Sequence, residues 1–425
     1  MQALRISSLL ATVAAASLLA CGTGADVSAD DADIIGGYDN GSAKYAAVGT
    51  VGTKDTAGNY HYFCTATLIS PTQVLTAKHC VLETDSTSPF YNQKLVNLID
   101  IYFAIGADST HPTKVFQAIA AEVATPREGG FVSLGSDVGI YHLVDAVAST
   151  DAKPLQFSTT PLKDKSATGQ GDIGKRFTAM GFGLSDQLNH DGKKKIGSLD
   201  LNALSGKAFE NMFGSVDNFA EYLKGIYGEQ LIDDNMDIVN QWYDSSGMMV
   251  GYDAYLGNKA GNVQTCYGDS GGPLLAKENG VLKIFGTVSG GLPSENLACD
   301  FGSFYAAIGP KTLTAITKAL TYKDPCRSGA TVLTAQGACA GTVASRCSGH
   351  FEGDRRLSTL DCADLDLACV TDTAGKATCG EAGSNPLSEP TPIAAPTGTS
   401  IKSSVTQARQ NLNGKYRKML KAKQK

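Results

Sequence analysis

The sequence predicts an all-β protein, on two features: short runs rich in β-branched and aromatic residues, and the clusters of Gly, Pro, Asn and Asp that separate them. That spacing favours a sandwich or barrel over alternating α/β units. The clearest runs are Tyr62–Ile69, Val74–Ala77, Leu98–Ile105 and Arg176–Gly181. Two stretches depart from the pattern. Lys207–Phe213 through Gln241–Tyr243 reads as partly helical, and Lys311–Leu320 spaces its apolar residues for one amphipathic helix. The chain has 425 residues, 42% hydrophobic and 18% charged, which is ordinary globular composition with room for two or three domains. A net charge of −6 leaves no overall footprint for nucleic acid, so no such partner is expected.

The amino terminus points to export. Arg5 precedes the apolar run Leu9–Ala20, the arrangement of a secretory signal peptide over residues 1–20. The run is too short to be preferred as a membrane span, and no other apolar stretch approaches about 18 residues. Leu18-Leu19-Ala20-Cys21 resembles a bacterial lipobox, whose cysteine is diacylated and becomes the new amino terminus. Ordinary cleavage, with Cys21 incidental, is the alternative. The chain has 11 cysteines, and an odd thiol in an exported protein needs an explanation. Assigning Cys21 to lipid leaves four cysteines up to Cys299 and six from Cys326 to Cys379, so each group can pair internally in an oxidising compartment.

Three short motifs carry chemistry: Ile34-Ile35-Gly36-Gly37, Thr76-Ala77-Lys78-His79-Cys80 and Gly268-Asp269-Ser270-Gly271-Gly272-Pro273. A serine hydroxyl at its ordinary pKa is a poor nucleophile. Acyl transfer therefore needs an imidazole as general base, a carboxylate to orient it, and donors for the developing oxyanion. These motifs resemble the trypsin/chymotrypsin family of serine proteases, over roughly Ile34 to Leu320. The resemblance implies two packed six-stranded antiparallel β-barrels with a closing helix, in a protease domain over residues 34–322. It implies the catalytic set His79, Asp137 and Ser270, in the family's order along the chain. It also implies an oxyanion hole from the Gly268 and Ser270 amides, disulfides Cys64–Cys80 and Cys266–Cys299, protein or peptide substrates, and no cofactor or metal.

The candidates differ in how closely they match. Glycines on both sides of Ser270 let the backbone turn sharply and approach a substrate. His79 adjoins a half-cystine that would fix its loop. Asp137 lies in Gly135-Ser136-Asp137-Val138-Gly139-Ile140-Tyr141-His142-Leu143, a looser match to the family's pattern of Asp followed by apolar residues. Lys78 stands where the family usually has a small residue. An inward ammonium would depress the imidazolium pKa, and the cost of burying it makes an outward side chain the expectation. By resemblance, Asp269 receives the ammonium of a newly cut amino terminus at Ile34, so residues 21–33 would be a propeptide and the precursor poorly active. Asp33 precedes the cut, in place of the usual Arg or Lys, so an activating protease of other specificity is required. With Cys21 lipidated, that single cut would also release the enzyme from its membrane anchor, since no pairable cysteine lies between.

The pocket residues follow by alignment to the serine motif. Gln264, six residues before Ser270, would form a neutral floor, Thr265 one wall, and Gly291 and Gly302 the small wall positions. Strict preference for Arg or Lys before the scissile bond is not expected; large neutral side chains are. Ser289-Gly290-Gly291 resembles the segment that pairs with the substrate backbone. The 132 residues between Asp137 and Ser270 exceed what a compact member of the family needs. The excess is expected to be a surface embellishment, with a rim over the cleft as the other reading.

Beyond Leu320 the resemblance stops. Cys326, Cys339, Cys347, Cys362, Cys369 and Cys379 define a small disulfide module over residues 323–380, similar in pattern to cysteine-rich appendages of exported bacterial proteins. Their 15 pairings are not narrowed by spacing, and no short Cys-x-x-Cys pair suggests zinc. Residues 381–425 form a Pro/Ser/Thr linker and a basic tail with eight Lys or Arg in its last 25 residues, expected to be disordered. Two functions result: a secreted serine endopeptidase, and a catalytically silent, protease-like binding or adhesion lipoprotein in which the module does the work.

Overall fold

The computed structural model describes residues 33–55, 57–82, 101–124, 137–164, 171–184, 192–257, 263–293, 299–328, 331–334, 336–348 and 356–385. The signal segment, Cys21, most of the propeptide and the basic tail lie outside the described residues.

After β1 (Asp33–Asp39), the strands β2 (Val48–Lys54), β3 (Tyr60–Ser70), β4 (Gln73–Thr76), β5 (Ile101–Ile105), β6 (Lys114–Val123) and β7 (Gly139–Leu143) close into a barrel in the order β2-β3-β4-β7-β6-β5. Closure comes from β2 pairing antiparallel with both β3 and β5. Inward residues Val51, Leu68, Val74, Phe103, Tyr141 and Leu143 fill it.

The short β8 (Gln156–Phe157) leads to a second barrel. It is built from β9 (Arg176–Gly181), β10 (Lys195–Ala203), β13 (Asp253–Leu256), β14 (Pro273–Glu278), β15 (Val281–Pro293) and β16 (Cys299–Ala307). Because β9 pairs with both β10 and β14, these six strands form a ring, with β1 added on β10 and β8 on β15. A core running through Val48, Leu75, Ile140, Met180, Phe182 and Leu275 joins the barrels. The predicted closing helix is α5 (Pro310–Thr321), which buries Ile316 and Ala319 in that same core. Pro310 opens it, and the Thr312 hydroxyl accepts the Gly309 amide at 2.7 Å.

The excess length is a helical unit between β11 (Gly206–Lys207) and β12 (Gly247–Met248), which pair with each other. It comprises α1 (Ala208–Phe213), α2 (Val216–Tyr227), α3 (Glu229–Asp233) and α4 (Met236–Ser245). Ser215 caps α2 by accepting the Asn218 amide, and Gly214 and Gly228, both at positive φ, end α1 and α2. The helices have a core of their own, with Phe209 stacked on Phe219 at 4.2 Å and Leu223, Ile232, Val239 and Tyr243 around them.

The carboxy-terminal module follows as β17 (Arg327–Ser328), β18 (Thr331–Val332), β19 (Ala338–Ala340), β20 (Val343–Ser348), β21 (Arg356–Asp361), β22 (Ala368–Thr371) and β23 (Ala377–Gly380). Its cysteines pair as Cys326–Cys347, Cys339–Cys369 and Cys362–Cys379, which settles what spacing left open. Arg327 ties the module to the first barrel by donating from one guanidinium nitrogen to the carbonyls of Leu143 and Val144. Among the described residues no helix is long and apolar enough to cross a membrane.

Because the helical unit has its own core, Phe219→Ala is expected to cost about 3–5 kcal/mol locally. Circular dichroism should show early loss of helical signal while the barrels keep their melting transition; a single shifted transition would mean the unit melts with the barrels.

Candidate active site

Strand pairing alone brings two of the candidates together. His79 lies on a single 3-10 turn, Lys78–Cys80, directly after β4, and Asp137 lies two residues before β7. β4 and β7 run antiparallel with Thr76 opposite Gly139, so the exit of one strand meets the entry of the other. The Asp137 carboxylate accepts from His79 Nδ1 at 2.8 Å and from the His79 backbone amide at 3.0 Å. The Ser289 hydroxyl donates to the same carboxylate at 2.7 Å. Sequence reasoning gave Ser289 a backbone role only; its side chain completes the set of donors around a fully buried acid.

Ser270 comes from the second barrel and is docked on the first. Thr65, on β3, donates its amide to the Ser270 carbonyl at 2.9 Å, and its hydroxyl donates to the Gly268 carbonyl at 2.8 Å while accepting the Phe182 amide at 3.1 Å. Beside it the Cys64–Cys80 disulfide joins β3 to the His79 turn, with Cys80 Sγ 3.8 Å from the Ser270 carbonyl. His79 and Ser270 therefore share one bracket. Among the described residues no hydrogen bond joins the Ser270 hydroxyl to His79, whose ring keeps 32% of its surface open. Such contacts are often long in a ligand-free site. Thr65 carried no signal in the sequence, since its role depends on which strand the nucleophile loop rests against.

The loop's amides are sorted with equal economy. Asp269, Gly271 and Gly272 donate to the carbonyls of Cys266, Val288 and Asp269. Among the described residues the Gly268 and Ser270 amides donate to none. The Leu184 amide holds the Tyr267 carbonyl at 3.0 Å, and in a planar trans peptide this turns the Gly268 N–H the opposite way. Gly268 follows with φ of 96°, a conformation that favours glycine. Two donors are thus left for an external oxygen.

Burial alone would lower the His79 pKa, but the charge and hydrogen bond of Asp137 outweigh it and hold the imidazole above its ordinary value. Burial likewise pushes Asp137 up, and the His79 charge with donors from His79 and Ser289 brings it below the usual carboxylate range. Lys78 corrects the expectation from sequence: its side chain is buried, at 7% exposure. Desolvation depresses its ammonium, opposed by the negative charge of Asp137. The nearby buried carboxylate offsets part of the cost that argued for an outward side chain, and its alkyl stem gains apolar burial.

Asp269 is fully buried and accepts the amides of Gly183 at 2.8 Å and Cys266 at 2.8 Å. Side chains at Gly181 or Gly183 would collide with it: a Cβ would stand 1.9 Å and 2.5 Å from its carboxyl group. Desolvation raises its pKa to about 7, against those two donors. Ile34, in β1, is buried in the second-barrel core with Ala179 and Tyr305, and Tyr305 lies within electrostatic reach of Asp269.

The pocket positions converge as well. Gln264, the predicted floor residue, is buried, and its amide oxygen accepts the N–H of Gly302, a predicted wall residue, at 2.8 Å. Thr265 turns its hydroxyl to Ser303 at 2.6 Å. A Cβ on Gly291 would stand 3.2 Å from the Gly302 carbonyl and 3.6 Å from that of Thr265, so a side chain there would press against both segments. Gly302 is small for another reason, contact with Tyr255 and Leu256, where a Cβ would come within 2.6 Å and 2.7 Å. The Cys266–Cys299 disulfide closes this region. The insertion is more than a peripheral embellishment: it packs on Leu292 and Phe301, the neighbours of Gly291 and Gly302.

Two antiparallel barrels with this site between them define the chymotrypsin-like class of fold. Residues 34–205 match the family model described as Trypsin. That stretch includes His79 and Asp137, whereas Ser270 lies beyond it.

A carboxyl whose pKa is raised on folding binds more protons folded than unfolded, so its contribution to stability falls as pH rises from the unfolded value toward about 7. In a chain that still carries residue 33, wild type should lose about 2–3 kcal/mol relative to Asp269→Asn between pH 5 and pH 8. Urea unfolding at both pH values checks this; parallel profiles would contradict it.

Proposed function

We propose that the chain is a secreted serine endopeptidase that hydrolyses peptide bonds through an acyl-enzyme. One observation carries this reading: a His79 ring held by Asp137 beside a Ser270 loop with two undonated amides. Ser270 Oγ attacks the scissile carbonyl as His79 Nε2 takes its proton. Asp137 keeps the Nδ1–H tautomer and stabilises the imidazolium, and the Gly268 and Ser270 amides hold the oxyanion. The imidazolium then protonates the leaving amine, and water repeats the sequence on the ester. Open oxyanion donors favour this over a silent binding scaffold, which has no use for them. Anchored Gln264 and bare Gly291 support a preference for a large neutral residue before the scissile bond, since an Arg or Lys would meet no buried countercharge there.

Processing and location belong to the same proposal. Cutting at Asp33–Ile34 by an unidentified protease would free an ammonium whose partner is Asp269, a buried carboxyl that, among the described residues, is otherwise hydrogen-bonded only by amides. Five disulfides fit an oxidising, extracellular setting. The lipobox-like Leu18–Cys21 supports a bacterial lipoprotein precursor anchored in a membrane until that cut releases it.

A fluorophosphonate is expected to label Ser270 in the chain beginning at Ile34, and to label the uncut chain far more slowly. Ser270→Ala should lower kcat by about a million-fold. Because His79 must be neutral and Asp137 holds its pKa above that of an ordinary imidazole, kcat/KM should fall tenfold per pH unit below that raised pKa. A rate unchanged down to about pH 4 would remove His79 as the base.

Gly291→Val should lower kcat/KM by at least about tenfold for a substrate with Phe before the scissile bond, and much less for one with Ala. Cleavage chiefly after Arg in the unaltered enzyme would overturn the neutral-pocket assignment.

A further inference from the structure

The helical insertion reaches the place where the upstream part of a substrate would lie. β15 pairs with β14 only as far as Thr287, and Val288 exchanges hydrogen bonds with Gly271 and Gly272. From Ser289 onward, among the described residues, no strand pairs with that edge. Ser289 is fixed beside the candidate catalytic set by its bond to Asp137, so β15 runs away from the nucleophile through Gly290, Gly291 and Leu292. A peptide added antiparallel runs the other way. Its scissile carbonyl then lies at Ser270, and its residues three and four positions upstream lie opposite Gly291 and Leu292.

That end of the edge is bare on one side and aromatic on the other. Among the described residues, a Cβ built on Gly290 would meet no other heavy atom within 4 Å, so these residues leave space over the strand. Leu292 packs against the core of the insertion. Phe213 of α1 packs on Phe301 at a tilt and Tyr222 of α2 packs on it edge to face, with ring centroids 5.1 Å and 4.7 Å apart. Tyr222 is also within electrostatic reach of Tyr267, which is 59% exposed and immediately precedes Gly268. The insertion thus extends from the pocket wall to the lip of the nucleophile loop.

The geometry points to a substrate-reading role for the insertion: it recognises a large apolar or aromatic side chain three or four residues upstream of the scissile bond, received in the space over Gly290 and against Leu292 and Tyr222. The inference rests on the endopeptidase reading, and it makes the preferred substrate an extended apolar segment. Gly290 leaves the volume and the insertion supplies the apolar wall, so burial of one such side chain is the source of selectivity.

The test uses the full chain processed to begin at Ile34, with active sites counted by fluorophosphonate labelling. Peptides identical except at the third and fourth upstream positions, carrying Leu or Phe against Ser, are compared by kcat/KM. The apolar peptides are expected to be better by at least about tenfold, and Tyr222→Ser should reduce that ratio to below about threefold. Since Tyr222→Ser disturbs the insertion's packing, Gly290→Leu provides a second variant: it fills the same space from the strand side, where nothing is displaced, and should also collapse the ratio. A ratio near one in the unaltered enzyme, or a ratio that survives both substitutions, overturns the inference while labelled Ser270 leaves the endopeptidase reading standing. Failure to label Ser270 overturns both.

Discussion

The seam between the barrels depends on Thr65. One residue of β3 holds the carbonyls of both Ser270 and Gly268 and receives the amide of Phe182, so two segments of the second barrel, the nucleophile loop and the end of β9, are registered on one strand of the first. The disulfide from its neighbour Cys64 to Cys80 extends this registration to the turn that carries His79. Each barrel alone would present half of the chemistry; hydrogen bonds to a single threonine set the distance between the halves. The cost of leaving such buried backbone groups unpaired makes that distance stiff.

Two buried carboxylates are treated in opposite ways. Asp137 is surrounded by donors and by a partner able to carry positive charge, and it stays ionised at the centre of the site. Asp269 has two amides and tight glycine walls, and its carboxyl is pushed toward neutrality. The difference is one of partners and not of depth, since both are fully buried. Ionising Asp269 would take a cation brought against it, the role proposed above for the Ile34 ammonium.

Much of this was legible in the sequence, because the informative residues sit in contiguous motifs. Ser270 announces itself through its glycines, and His79 through Cys80. The strands around them show as short runs of strand-forming residues bounded by turn residues. What stayed hidden depends on contacts between distant segments. The Ser289 hydroxyl, the Thr65 bracket and the inward Lys78 are all set by neighbours more than fifty residues away, to which composition and spacing are blind. The pairing of six module cysteines was hidden for the same reason, as was the contact of α1 and α2 with Phe301.

The helical unit departs from the second barrel at Gly206–Lys207 and returns at Gly247–Met248, two strands that are hydrogen-bonded neighbours. Its ends therefore coincide, and it folds around apolar residues supplied almost wholly by itself. Such a unit behaves as an exchangeable cassette: its length and surface can drift, or be replaced outright, without re-registering a single barrel strand. If the unit reads the upstream part of a substrate as proposed, that share of the preference can evolve while the barrels are held fixed.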